Sequence, residues 1–209
     1  MAQLVIEFEW FKDPKGYRLV ETGWPMRVIR NGKGQSPKDL QRYRPFASTD
    51  RLFKIFANIV TTPKGVLDFV QRFGPLTWDG WDATKGDPVD LVFHHADRMR
   101  QILRDFAGPE KRRDWKPPYK LTPTSSLQAA VVWDIATKAP KWELRPNDLL
   151  DGLFLQLGQW MTGSGQIRHC EHCGEWFETG RGTGRRLDAK FCSDEHRIAF
   201  NSLQRSREK

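Results

Sequence analysis

The sequence predicts a mainly helical α+β fold with a small N-terminal β-sheet and a separate C-terminal treble-clef metal module. Three observations carry that reading. Apolar residues recur at helical spacing through the middle of the 209-residue chain, short alternating segments stand at its start, and all three cysteines fall in the last forty residues. Domain boundaries are expected at 1–162 for the helical body and 166–209 for the module.

Leu4-Val5-Ile6-Glu7-Phe8-Glu9-Trp10 reads as a strand with one apolar face, and Met26-Arg27-Val28-Ile29 as a second after the Gly23-Trp24-Pro25 break. Asn31-Gly32-Lys33-Gly34 marks a turn. Thr49-Asp50 is placed to cap a helix whose inner stripe is Leu52, Phe53, Phe56 and either Ile59 or Val60. Thr62 followed by Pro63 opens the next helix, with Val66, Leu67, Val70 and Phe73 inward and Gly74-Pro75 at its end.

Residues 78–87 read as a loop. A long helix follows over about 88–107, with Val89, Val92, Ala96, Met99, Leu103 and Phe106 stepping by three and four. A basic, proline-broken link at 111–123 leads to an expected helix over 125–138. A further helix over about 147–161 turns Leu149, Leu150, Leu153, Phe154, Leu157 and Trp160 inward. Gly163-Ser164-Gly165 is read as a hinge.

Cys170-x2-Cys173-Gly174 has the spacing of a metal knuckle, in which one tight turn presents two thiolates. A strand is expected over 175–178, a hairpin tip over 180–186 and a returning strand over 190–192. Ser193 then caps a helix from Asp194 to about Arg207. His196 lies four residues after Cys192, so both can point at one ion. Three thiolates and one imidazole fill the tetrahedral positions of a single structural Zn2+ and leave none for substrate. His169 and His172 are rival ligands, ranked below His196 because either would distort the knuckle.

The module resembles the FCS/CGNR class of bacterial treble-clef zinc fingers in Cys170, Cys173, Phe177, Phe191, Cys192 and Ser193. His196 stands where that family usually has a fourth cysteine. The namesake Cys-Gly-Asn-Arg is replaced by His196-Arg197-Ile198-Ala199. The body is similar to the helical domain that precedes such fingers in stress-induced transcription regulators, through Tyr43-Arg44-Pro45, Leu67-Asp68-Phe69 and Arg72-Phe73-Gly74-Pro75-Leu76. The resemblance implies a DNA-binding role in transcription regulation.

Charge agrees with a polyanionic partner. The net charge is +8, and residues 27–54 carry eight basic against two acidic side chains. On the last helix Arg197, Asn201, Gln204 and Arg205 are residue types that read base edges, while Ala199, Phe200 and Leu203 are expected toward the core. Arg181, Arg185, Arg186 and Lys190 are placed to hold phosphates. The alternative is a protein-interaction or small-ligand module, for which Trp78-Asp79-Gly80-Trp81-Asp82 offers two rings beside two carboxylates.

No metalloprotease spacing, phosphate-binding loop, nucleophile elbow or dinucleotide fingerprint is present, so the sequence points to a binding protein rather than an enzyme. The start of the chain lacks the basic head and cleavage site of a secretory leader, and no apolar run is long enough for a membrane span. The expected location is the cytoplasm, without membrane association.

Overall fold

Glycine 74 marks how closely strands and helices approach in this chain. Its φ is +77°, and a Cβ there would collide with the carbonyl oxygen of Phe11. The computed structural model describes residues 5–6, 8–21, 25–32, 37–49, 51–77, 86–106, 128–134, 138–162, 166–180 and 183–207. They form an α+β chain that divides into two compact units: residues 1–98 with 120–159, and residues 99–119 with 160–209.

In the first unit, β1 (Val5–Ile6) and β2 (Trp10–Lys12) replace the single expected N-terminal strand. They belong to different sheets. β3 (Tyr17–Val20) and β4 (Arg27–Arg30) pair antiparallel, with Tyr17 opposite Arg30, and β5 (Gln41–Tyr43) pairs with β2. The Tyr43 hydroxyl donates to the carbonyl of Phe73, which ties this small sheet to a helix end.

α1 (Pro45–Ser48) and α2 (Leu52–Ala57) follow. Thr49 closes the C-terminus of α1, donating its N–H to the Pro45 carbonyl at 3.1 Å, and does not cap α2. The residue before α2 is Arg51, held at φ +63°. Leu52, Phe53 and Phe56 are fully buried and Ile59 nearly so, whereas Val60 is 66% exposed, which decides between the two alternatives.

α3 (Pro63–Phe73) begins as expected, with Thr62 Oγ1 accepting from Gly65 N at 3.1 Å. Phe69 joins Val66, Val70 and Phe73 in its buried face, while Leu67 is only half-buried. β6 (Asp87–Pro88) adds to β4, and Asp87 accepts from Leu76 N, Thr77 N and Thr77 Oγ1. The tryptophan loop at 78–82 lies outside the described residues, as do the basic link and the Gly163–Gly165 hinge.

α4 (Val89–Phe106) carries the expected buried stripe, with His95 buried and His94 exposed on different sides. The helix expected over 125–138 is instead a strand pair. β7 (Gln128–Asp134) and β8 (Ala139–Arg145) are antiparallel, turning at Lys138 with φ +50°, and β8 also takes β1 in parallel. Val131, Val132 and Trp133 are β-branched or aromatic and suit a pleated surface better than a helix. α5 (Leu149–Thr162) is capped by Asp148, whose Oδ1 accepts from Asp151 N at 2.8 Å.

The second unit contains β9 (Gln166–His169), β10 (Trp176–Thr179) and α6 (Asp194–Arg207). Its buried apolar side chains include Met99, Ile102, Leu103, Phe106, Trp160, Met161, Ile167, Trp176 and Phe177. No described helix is long and apolar enough to cross a membrane.

Candidate metal centre

The cysteine segment folds around the turn between β9 and β10. These strands are antiparallel, with His169 opposite Trp176 and Gln166 opposite Thr179. The expected partner of the 175–178 strand was 190–192, but that stretch is irregular, and the strand before the first cysteine takes its place. Such a pairing lets the hairpin itself hold the knuckle. Cys170 N donates to Glu175 O at 2.9 Å and Gly174 N to Cys170 O at 3.0 Å. Gly174 closes the turn at φ +75°, a conformation that costs an L-residue.

The second half of the site is brought in by Glu171 N donating to Lys190 O at 3.0 Å, and by Cys192 N donating to Cys170 Sγ at 3.4 Å. Ser193 Oγ then accepts from His196 N at 3.2 Å, capping α6 as its residue type predicts. Asp194 and Glu195 occupy the first turn, where carboxylates suit the positive end of the helix. The rings of Phe191 and Phe200, 5.2 Å apart, fix the helix on the segment that leads into it.

The ligand atoms of Cys170, Cys173, Cys192 and His196 all lie within 4.8 Å of one another, close enough to hold one metal ion. Cys173 Sγ and Cys192 Sγ are 3.7 Å apart, and Cys170 Sγ lies 3.9 Å from His196 Nδ1. A tetrahedral zinc with sulfur at about 2.3 Å sets its ligand atoms about 3.6–3.8 Å apart. These two distances fit. Cys192 Sγ to His196 Nδ1, at 2.8 Å, is the edge that must open.

Electrostatics point the same way. Burial raises the Cys170 thiol, but N–H groups of Cys173, Cys192 and His172 directed at its sulfur bring it down to about 6. Cys192 is pushed up to about 12 by burial and by the neighbouring Cys173 and Cys170 sulfurs. A negative charge is favoured at Cys170 and opposed at Cys192, a pattern that a cation between the two sulfurs would even out.

The rival histidines stand aside. His169 packs edge-on against Trp176 at 5.1 Å, and the His172 ring lies 4.9 Å from that of His196. Neither belongs to the converging set.

Of the residues expected to touch phosphate, Arg181 lies outside the described residues. Gly180 and Arg185 bridge across the expected hairpin tip, and the Arg185 guanidinium lies 6.0 Å over the Phe177 ring. Arg186 forms a two-point pair with Asp188, at 3.1 and 3.2 Å. Lys190 pairs with Glu171 at 3.4 Å and Arg197 with Asp194 at 3.1 Å. Asn201, Gln204 and Arg205 are exposed on α6.

Leu203, expected toward the core, is 54% exposed because α6 runs past the packed part of its unit: residues 201–206 are all exposed. The acidic partners were not anticipated from sequence. Asp188 and Asp194 sit two and three positions from their arginines and carried a local signal, whereas Glu171 reaches Lys190 only through the fold. No protein-family model matches the chain, and no curated protein or solved structure matches it.

Proposed function

We propose that the chain is a zinc-binding regulatory protein of the cytoplasm, with no catalytic step, whose C-terminal treble-clef finger binds nucleic acid, DNA in the first instance. In this reading Cys170, Cys173, Cys192 and His196 hold one structural Zn2+. A knuckle on a hairpin, followed by two ligands at the start of a helix, is the arrangement a treble clef requires. The resemblance to FCS/CGNR fingers and to stress-induced transcription regulators belongs to the same reading.

The observation that carries the nucleic-acid part is the exposed face of α6. Arg197, Asn201, Gln204 and Arg205 fall within about 100° of arc at 3.6 residues per turn, and all four are exposed. Among the described residues, Arg186, Lys190 and Arg197 pair with exposed carboxylates. Surface pairs of this kind are worth about 0–1 kcal/mol, so phosphate can replace the carboxylate at little cost.

Anisotropy titration of the full chain against duplex DNA, single-stranded DNA and RNA, each at two salt concentrations, tests the reading. Steep salt dependence with tighter binding to duplex DNA is expected. Indifference to all three at low salt would end it. A second reading, docking to a protein, is favoured by the exposure of Ile198 at 58% and of Leu187 and Leu203 at 54% each. It would then lead.

A further inference from the structure

The four donors of the candidate centre are not equally protected. Cys170 is 1% exposed, its N–H and carbonyl are both engaged in the knuckle, and its sulfur accepts the Cys192 N–H. Cys173 is exposed and Cys192 half-buried. Their sulfurs stand 3.7 Å apart. A disulfide has sulfurs about 2.05 Å apart, so an approach of less than about 2 Å would join them. Neither residue is held in a strand: Cys173 lies in a turn beside Gly174, and Cys192 in the irregular stretch before α6.

We propose that Cys173 and Cys192 form an oxidation-sensitive pair, closed to a disulfide by a peroxide, so that oxidation dismantles the metal site. The inference rests on the zinc reading above but not on nucleic-acid binding. The exposed Cys173 thiolate attacks one oxygen of hydrogen peroxide, giving a sulfenic acid and releasing hydroxide. The Cys192 thiol then loses its proton as it attacks that sulfur, forming the S–S bond and releasing the sulfenic oxygen as water. The two sulfurs lose two electrons in all, and peroxide takes them up to become, with two protons, two waters.

Only Cys170 and His196 then remain as donors, too few for a closed tetrahedral site. The new bond joins the same two chain segments that the metal joined. The knuckle and the start of α6 therefore stay tethered, and a dithiol can restore the original state by exchange.

The test uses the full chain, purified under reductant, with its zinc content measured first. Peroxide is added in the presence of a chromophoric chelator, and the product is mapped by mass spectrometry of non-reduced peptides. The expected result is release of the zinc, a Cys173–Cys192 cross-link, and recovery of zinc binding after dithiothreitol. Cys173→His keeps a fourth ligand but removes the pair, and should slow peroxide-driven release about tenfold or more.

A map showing Cys170 in the disulfide, or over-oxidised cysteines without a cross-link, would overturn the assignment. So would zinc retained with all three cysteines unmodified. If the purified chain carries no zinc, the metal reading fails separately, and the cross-link map still decides the pair.

Discussion

Cys192 and His196 face each other across the first turn of α6, with Sγ and Nδ1 2.8 Å apart and Ser193 capping the helix between them. That separation is closer than an uncoordinated sulfur and nitrogen ordinarily come. It is shorter than the edge of about 3.6 Å that zinc imposes on a sulfur and a nitrogen. Loading the metal should therefore open this pair while leaving the Cys173–Cys192 separation nearly unchanged. X-ray absorption of the purified protein should show one zinc per chain with three sulfurs and one nitrogen. Removing it with a chelator should loosen the second unit, seen as a change in the fluorescence of the buried Trp176.

Gly174→Ala isolates the cost of the knuckle's backbone. A Cβ there meets only the His169 ring at 3.7 Å, an ordinary contact, so the penalty comes from φ +75°. The expected loss is about 1–2 kcal/mol, read as weaker zinc retention in a chelator competition. Gly74→Ala combines a similar φ with a collision on the Phe11 carbonyl. It should destabilise the first unit by more, about 2 kcal/mol or above in urea unfolding.

The acidic partners offer a gain-of-binding test. Asp188→Asn and Asp194→Asn release Arg186 and Arg197 and remove a repelling charge, so each should tighten binding to duplex DNA. Arg185→Ala with Arg186→Ala should lower the salt slope by about 0.9 for each phosphate no longer neutralised, on every sequence alike. Arg197→Ala or Asn201→Ala should instead relax sequence preference by roughly 1–3 kcal/mol for each bidentate pair removed. Titrations at several salt concentrations separate the two outcomes.

Half-buried Asp148 and buried His95, both in the first unit, titrate in opposite senses. Asp148 is raised to about 6, first by burial and then by Asp151 and Asp87. His95 is lowered to about 4, first by burial and then by His94 and Arg98. Between about pH 4 and 6 the folded chain keeps a proton on Asp148 that the unfolded chain, near pKa 3.9, has lost. Asp148 therefore adds stability as pH falls.

From pH 6.5 downward the unfolded chain gains a proton on the histidine that folded His95 refuses, so this group subtracts stability as pH falls. The two slopes offset each other. Asp148→Asn, which keeps a capping oxygen, should make the chain less stable at pH 4.5 than at 6.5. His95→Gln should do the reverse. Each change should be about 1–3 kcal/mol, measured by urea unfolding across that range.

Helices α3, α4 and α5 were legible because each carries an apolar stripe at 3.6-residue spacing, which at α3 is also bounded by Thr62 and Gly74. The convergence of Cys170, Cys173, Cys192 and His196 was legible because their spacing is that of a metal knuckle followed by a helix start. What escaped depends on distant partners. Val5 pairs with Glu143, and no window around residue 130 contains that information. Ala129 and Ala130 favour a helix locally, yet the ladder with β8 prevails. The partner of the 176–179 strand was hidden likewise, because Gln166–His169 has too little alternation to announce a strand by itself.

The second unit draws on two stretches of chain, 99–119 and 160–209, separated by some forty residues that belong elsewhere. The metal module is therefore not a cassette. A segment beginning at Gln166 carries every ligand but leaves behind Met99, Ile102, Leu103 and Phe106, four buried side chains of the same unit. Grafting it onto another protein, or shuffling it by recombination at one point, would transplant the chemistry without its foundation. During synthesis His196 is also the last ligand to emerge. Assembly of the site must then wait for the start of α6, after the end of α4 has already been made.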